Sequence, residues 1–350
     1  MPPPRDATPQ APTPHEPLSM LVTGGAGFIG SNFVRVMLDN HPTLLVCVLD
    51  KLTYAGCKEN LQEVWENPRL SFVEGDICDA KLVADLFARH KFDTVIHFAA
   101  ESHVDNSISG PAAFIQTNFV GSFVLLEAAR TAWLSADGKS VAADQRRFVH
   151  VSTDEVYGQL TREDSPFEES TPYDPRSPYS ATKAGADHLA SAYFHTYGLP
   201  VVITNCSNNY GPRQHDEKFL PTVIRSCRHQ QPIPIYGDGS NIRDWLWVED
   251  HCHGIDRAAR LGQTGRSYNF GGNCERPNIE VARKICHLMD VRYPDNAPHE
   301  KLLTFVEDRL GHDWRYAVSF QRAQAELGWR PTTNFEQGLA DTVDWYAPRY

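Results

Sequence analysis

Tyr179 and Lys183 stand four residues apart in Tyr179-Ser180-Ala181-Thr182-Lys183, a spacing that puts a phenol and an ammonium on one helical face. A cation beside a phenol favours the phenolate and draws its pKa from ~10 towards neutrality, so that the oxygen can accept a hydroxyl proton. Taken alone, the pattern also fits a packed tyrosine beside a solvated lysine. Upstream, Val151-Ser152-Thr153-Asp154-Glu155-Val156-Tyr157-Gly158 sets two adjacent carboxylates at the end of an apolar run. Like charges held close split their pKa values, leaving one proton donor and one acceptor. A site that oxidises an alcohol and also holds an acid and a base can eliminate water.

Oxidation needs a hydride acceptor, and Thr23-Gly24-Gly25-Ala26-Gly27-Phe28-Ile29-Gly30 supplies a place for one. Glycines between an apolar run and an amphipathic helix allow a tight turn and let a pyrophosphate approach the helix N-terminus. Two registers fit, Gly24-x-x-Gly27-x-x-Gly30 and Gly25-x-Gly27-x-x-Gly30. Asp50 ends the second apolar run, where an acidic side chain accepts from ribose hydroxyls and repels a 2′-phosphate. NAD is therefore expected over NADP, although the neighbouring Lys51 leaves NADP open. In Gly75-Asp76-Ile77, Asp76 either reaches the adenine edge or caps the next helix.

These residues need a scaffold, and the chain alternates short β-branched runs with helical patterns. The runs lie at 20–23, 44–49, 70–73, 94–98, 148–152 and 201–204, the helical patterns near 29–39, 58–66, 79–90, 112–134 and 177–197. That rhythm predicts an α/β fold, a doubly wound parallel (Rossmann) sheet with ligands at the carboxyl ends of its strands. Ser135–Arg147 is polar and reads as a surface excursion. Past residue 205, Pro/Gly-rich turns such as Tyr236-Gly237-Asp238-Gly239 indicate a smaller mixed α/β C-terminal domain for substrate. The expected division is 18–205 with about 243–270 for the dinucleotide domain, and about 206–242 with 271–350 for the second. Seven of the 24 prolines fall in residues 1–17, a composition expected to stay disordered.

With 33 Lys+Arg against 44 Asp+Glu, the 350-residue chain carries a formal charge of −11. Neither nucleic acid nor a membrane surface is an expected partner. No run approaches ~18 consecutive apolar residues, so no membrane span is expected. Eight scattered cysteines without a C-x-x-C pair suggest reduced thiols and a cytoplasmic location. His251-Cys252-His253 has no second ligand cluster at zinc-like spacing, so no metal is expected.

Longer strings carry a family resemblance over about residues 20–347. They are Asp50-Lys51-Leu52-Thr53-Tyr54-Ala55-Gly56, Ala99-Ala100-Glu101-Ser102-His103-Val104-Asp105, Ser152 to Gly158, Cys206-Ser207-Asn208-Asn209-Tyr210-Gly211-Pro212, Pro234 to Gly239, Ile242-Arg243-Asp244-Trp245 and Gly311-His312-Asp313. Together they resemble the extended short-chain dehydrogenase/reductase superfamily and, within it, the dTDP-glucose 4,6-dehydratase family. The resemblance implies a lyase of deoxysugar biosynthesis that keeps NAD bound while a nucleotide-diphosphate glucose loses water to give the 4-keto-6-deoxy sugar. Tyr179 would take the C4 hydroxyl proton as hydride leaves C4, Glu155 the C5 proton, and Asp154 would protonate the departing C6 hydroxyl before hydride returns to C6. Thr153 would hydrogen-bond the C4 oxygen and Lys183 the nicotinamide ribose. Gly24, Gly27, Phe28, Ile29, Gly30, Asp50, Lys51, Thr53, Asp76, Ile77, Ala99 and Ala100, with Tyr179 and Lys183, would line the cofactor.

For the dianionic substrate the family implies Arg243 and Arg315 around the diphosphate, since a forked guanidinium suits phosphate. Ser102, His103, Asn208, Glu217, Lys218 and Asn278 would line the sugar or nucleoside, and Tyr236 could stack on a pyrimidine. Leu310 stands where the family often has proline, and Trp314 where it often has arginine. A homodimer is implied, joined by the helices near 112–134 and 177–197 in a four-helix bundle. The alternatives are a UDP-glucose 4,6-dehydratase, or a nucleotide-sugar 4-epimerase, which would leave Asp154-Glu155 without a task. A cofactor-binding protein without turnover would be expected to have lost the tyrosine or the carboxylates.

Overall fold

The β-branched runs become strands in the computed structural model, which describes residues 14–134, 145–308 and 311–350. They are β1 (Ser19–Thr23), β2 (Leu45–Asp50), β3 (Leu70–Glu74), β4 (Thr94–His97), β5 (Arg147–Thr153) and β6 (Val201–Cys206). The later region adds β7 (Asn208–Tyr210), β8 (Ile233–Tyr236), β9 (Ile242–Trp247), β10 (Ser267–Phe270), β11 (Glu275–Pro277) and β12 (Leu303–Val306). One seven-stranded sheet runs β10-β6-β5-β4-β1-β2-β3, every pairing parallel. Such a sheet is covered on both faces, and β5 and β6 are accordingly buried along their whole length.

The helices are α1 (Phe28–Asn40), α2 (Ala80–His90), α3 (Val104–Ser109), α4 (Pro111–Phe114), α5 (Ser122–Trp133), α6 (Pro178–Tyr197), α7 (Phe219–His229), α8 (Val248–Leu261), α9 (Asn278–Arg292), α10 (Gln321–Leu327) and α11 (Phe335–Tyr346). Residues of α1, α8 and α10 pack in one core cluster, and those of α2, α5 and α6 in another across the sheet. A third cluster lies among α7, α9 and α11 over two small sheets, β11-β9-β7 and β12-β8. The strand order reverses between β1 and β4, so their carboxyl ends open the crevice where such folds bind ligands.

Several expectations need correction. The helix near 58–66 is a 3-10 helix over Lys58–Val64. β9 pairs with β7 and β11, so the chain returns to the large sheet at Val248 and not at 243. The tail expected through residue 17 lies outside the described residues only to 13. His15 is buried, its Nε2 2.7 Å from Thr94 Oγ1, and Glu16 pairs with Arg260 at 2.7 Å. Of the excursion at Ser135–Arg147, residues 135–144 lie outside the described residues, while Arg147 opens β5 and donates from Nε to Ala259 O at 3.0 Å. Pro111–Trp133, with a π-helical stretch at Ile115–Gly121, is long and apolar enough by composition to cross a membrane. Its α5 portion packs on α2 and α6.

Candidate active site

The turn after β1 is built by close approach. Gly24 has φ +71°, and a Cβ there would lie 2.6 Å from Ala99 N; a Cβ on Gly30 would lie 2.3 Å from Gly24 O. Gly27 begins α1 with no side-chain cap, so the first N–H groups of the helix face the cleft for an anion. Asp50 braces the turn from β2, accepting from Ala26 N and Leu52 N at 2.9 Å each. Two such bonds leave a carboxylate lone pairs for ribose hydroxyls. Lys51, the residue that left NADP open, is paired with Asp76 at 2.7 Å. Asp76 is not the helix cap: Asp79 caps α2, accepting from Lys81 N and Leu82 N at 3.0 Å each. Gly24, Gly27, Gly30, Asp50, Lys51 and Asp76, with Thr53, Phe28, Ile29, Ile77, Ala99 and Ala100, line one cleft. The glycine cradle, the uncapped helix and the braced carboxylate fit a dinucleotide.

The same cleft is lined by Thr153, Asp154, Glu155, Tyr179 and Lys183. β5 delivers the first three at its carboxyl end, where Thr153 donates to Asp154 Oδ1 and accepts from Glu155 N, both at 3.3 Å. α6 delivers the others. Ser177 and Ser180 cap it reciprocally at 3.0 Å, Pro178 takes the first turn, and Gly198 at φ 72° ends it. Asp154 is buried and its Oδ2 has no hydrogen-bond partner among the described residues. Burial, then the charges of Glu155 and Asp244, pushes this carboxyl well above its usual range, against the pull of Arg243. The shift biases one member of the pair towards its neutral acid form.

Tyr179 departs from the sequence expectation. Burial, reinforced by Glu155, raises the phenol well above 10. Lys183 does not offset this, because its ammonium donates to Val151 O at 2.8 Å. Burial in turn draws the lysine downward, and Asp187 is the first charge to oppose that shift.

Of the expected substrate residues, Ser102, Asn208 and Lys218 line the cleft. Lys218 donates to Ser102 O at 3.0 Å, and Asn208 Oδ1 is buried without a hydrogen-bond partner among the described residues. His103 and Glu217 face each other at 3.8 Å. Tyr236 is exposed, its hydroxyl donating to Asp105 at 3.4 Å. Arg243 is buried over the Tyr316 ring at 4.4 Å and donates to Ile242 O at 2.8 Å and Asp313 O at 3.0 Å. Asn278 opens α9, its N–H bonded to Asn241 O at 3.0 Å. None of these five lines the cleft described above.

Arg315, expected at the diphosphate, is engaged within the protein itself. It forks onto Glu275 at 2.5 and 2.9 Å, and its Nη1 donates to Thr161 O at 2.9 Å and Asp164 O at 2.8 Å. With those four bonds it ties loops together and holds no donor pair ready for a diphosphate.

The comparisons with known proteins agree with this geometry. A family model described as GDP-mannose 4,6 dehydratase matches residues 21–342. A dTDP-glucose 4,6-dehydratase of Xanthomonas campestris is 53% identical over 328 residues, covering 93% of this chain and 92% of its own. One from Haemophilus influenzae is 50% identical over 333 residues, covering 94% and 98%. The chain belongs to the dTDP-glucose 4,6-dehydratase family. A dTDP-glucose 4,6-dehydratase of Streptomyces venezuelae solved with NAD bound superposes with a TM-score of 0.85 at 44% identity, covering 94% of this chain and 96% of that one.

Within this dehydratase-family chain, Trp314 lies under Arg162, whose guanidinium stands 5.7 Å from the ring, while Leu310 lies outside the described residues. The cleft also includes Glu101, Thr117, Cys206, Ser207, Asn209, Gln214 and His215, which sequence reasoning did not single out. Glu101 and Cys206 to Asn209 sit inside strings already noted for their resemblance, a signal that would have found them. Asn118 had no such signal. It is buried in the π-helical stretch and joins the Glu101 backbone to Thr182 Oγ1, its Nδ2 donating at 3.1 and 3.0 Å.

Proposed function

We propose that the protein is an NAD-dependent hydro-lyase that converts dTDP-glucose to its 4-keto-6-deoxy derivative. The observation that carries this reading is the buried Asp154 carboxyl beside Glu155, in the cleft that also holds Tyr179 and the glycine cradle. A simple oxidoreductase or epimerase has no task for an acid and a base at that position.

NAD, when bound, supplies the hydride acceptor and a positive charge that favours the phenolate. Tyr179 accepts the C4 hydroxyl proton, with Thr153 hydrogen-bonded to the same oxygen. The C4 ketone acidifies the C5 proton, which Glu155 removes. Asp154 delivers its proton to the C6 hydroxyl, which departs as water, and is left as the carboxylate once Glu155 has become the neutral acid, so the pair carries one negative charge before and after the elimination. The hydride taken from C4 would then return to C6 and a proton to C5, which gives the 4-keto-6-deoxy sugar and leaves the cofactor oxidised again. Lys183 holds the ribose of the cofactor and fixes the end of β5 through Val151 O.

The exposed side chains Ile108, Ile115, Phe119 and Phe123 support a homodimer. The last three recur every four residues along Pro111–Trp133, so a second copy would cover one continuous stripe by pairing this segment and α6 in a four-helix bundle. Eight unpaired cysteines support a cytoplasmic location. The test incubates the purified protein with dTDP-glucose and UDP-glucose in parallel and follows product mass. Loss of one water, faster from dTDP-glucose, is the expected result. An unchanged mass with formation of the C4 epimer would replace this reading with an epimerase.

A further inference from the structure

We propose that Asp187, on α6, is a positioning residue: one buried carboxyl group that holds the catalytic end of β5 in register. The proposal rests on the reaction assigned above. Tyr179, Lys183 and Asp187 follow one another at four-residue spacing and so share one face of the helix. Asp187 is only 2% exposed. Its Oδ2 accepts from Ser152 Oγ at 2.8 Å, Tyr173 OH at 3.0 Å and Asn205 Nδ2 at 3.3 Å. Its Oδ1 lies 3.1 Å from His150 Nε2, without hydrogen-bond alignment.

The bonds converge on one short stretch. Lys183 holds Val151 through its carbonyl, Asp187 holds Ser152 through its hydroxyl, and Asn205 donates to Thr153 O at 3.1 Å while also reaching Asp187. Three consecutive residues are therefore fixed immediately before Asp154 and Glu155. Three donors from three other segments converge on the one Asp187 Oδ2, so this carboxyl group is the node that joins them. It also faces the ammonium's side of the helix, and Asp187 opposes the burial that would discharge Lys183. The other titratable groups around Lys183, His97 on β4, His150 on β5 and Cys206 on β6, provide no negative charge at neutral pH: burial pulls both imidazoles down and the thiol up. A buried ion is a costly way to fill a core unless its position matters.

The experiment compares wild type, Asp187→Asn and Ser152→Ala as NAD-loaded enzymes turning over dTDP-glucose. Asp187→Asn is expected to lose about 10- to 100-fold in kcat, the effect of a small misplacement in a catalytic constellation. KM is expected to stay within about threefold, and NAD content unchanged, because ground-state binding is untouched. Activity falling only in proportion to the folded fraction, or a loss confined to KM, overturns the proposal. Should Asp187→Asn fail to fold, Ser152→Ala keeps the carboxylate with its Tyr173 and Asn205 donors and decides the matter. A several-fold fall in kcat at unchanged KM supports the role, and wild-type kcat refutes it. A wild type that does not release water counts against the reaction itself; a normal wild type beside a normal Asp187→Asn counts against Asp187 alone.

Discussion

Replacing Asp154 by asparagine separates the fold from the chemistry. The side chain is 3% exposed, and burial followed by Glu155 and Asp244 raises its pKa. The amide is close to the neutral acid in shape, so packing is retained. A carboxyl whose pKa is raised in the folded state contributes its full share of stability below its unfolded pKa of ~3.9. That share is lost as pH climbs towards the folded value, at about 1.4 kcal/mol for each pH unit separating the two. Asparagine has no such loss. The melting temperature of Asp154→Asn should therefore gain on wild type as pH rises from about 4 to about 8. The chemistry should move the other way, because a general acid contributes about 10²- to 10⁴-fold, or ~3–5 kcal/mol of barrier. Scanning calorimetry across pH gives the first quantity, and mass-resolved product formation by the NAD-loaded enzyme gives the second. Dehydration within about threefold of wild type, or a melting difference that does not change with pH, would refute the assignment of Asp154 as the buried neutral acid.

Glu155→Gln should still oxidise C4, seen as reduced cofactor absorbance on the enzyme, while water loss falls about 10²-fold or more; equal loss of both steps would count against its role as the C5 base. Gly30→Ala drives a Cβ to 2.3 Å from Gly24 O, a backbone clash expected to cost about 1–3 kcal/mol and to leave the purified protein poor in NAD; a normal NAD content would show that the turn can open. Arg315→Lys cannot reproduce the fork onto Glu275 or both carbonyl bonds, so we expect a loss of about 2–3 kcal/mol in denaturant unfolding. Its substrate KM should hardly change, and a large KM increase at normal stability would restore the diphosphate role.

Features that depend on local sequence are readable without the fold. Alternating β-branched runs and helical stretches point to the parallel sheet, because each run meets neighbours on both faces. The glycine turn is readable because Gly24 and Gly30 are required by backbone contacts within the turn and with the segment that follows β4. What cannot be read depends on partners far along the chain. Arg315 looks like a phosphate ligand because nothing near it in sequence announces Glu275 or the carbonyls of Thr161 and Asp164. The Tyr179–Lys183 pair is legible, yet its electrostatics are not: helical spacing brings a cation within reach of the phenol, but the Val151 carbonyl takes the ammonium and burial dominates the phenol. Asp187 escapes notice for the same reason, since Ser152, Tyr173 and Asn205 come from three other segments.

The most direct test of the account follows the hydrogen from C4. With dTDP-glucose carrying deuterium at C4, a hydride taken from C4 and returned to C6 after water loss predicts a 4-keto-6-deoxy product with deuterium in its C6 methyl group. Deuterium retained at C4 in an epimerised sugar, or released as free reduced cofactor, would contradict it.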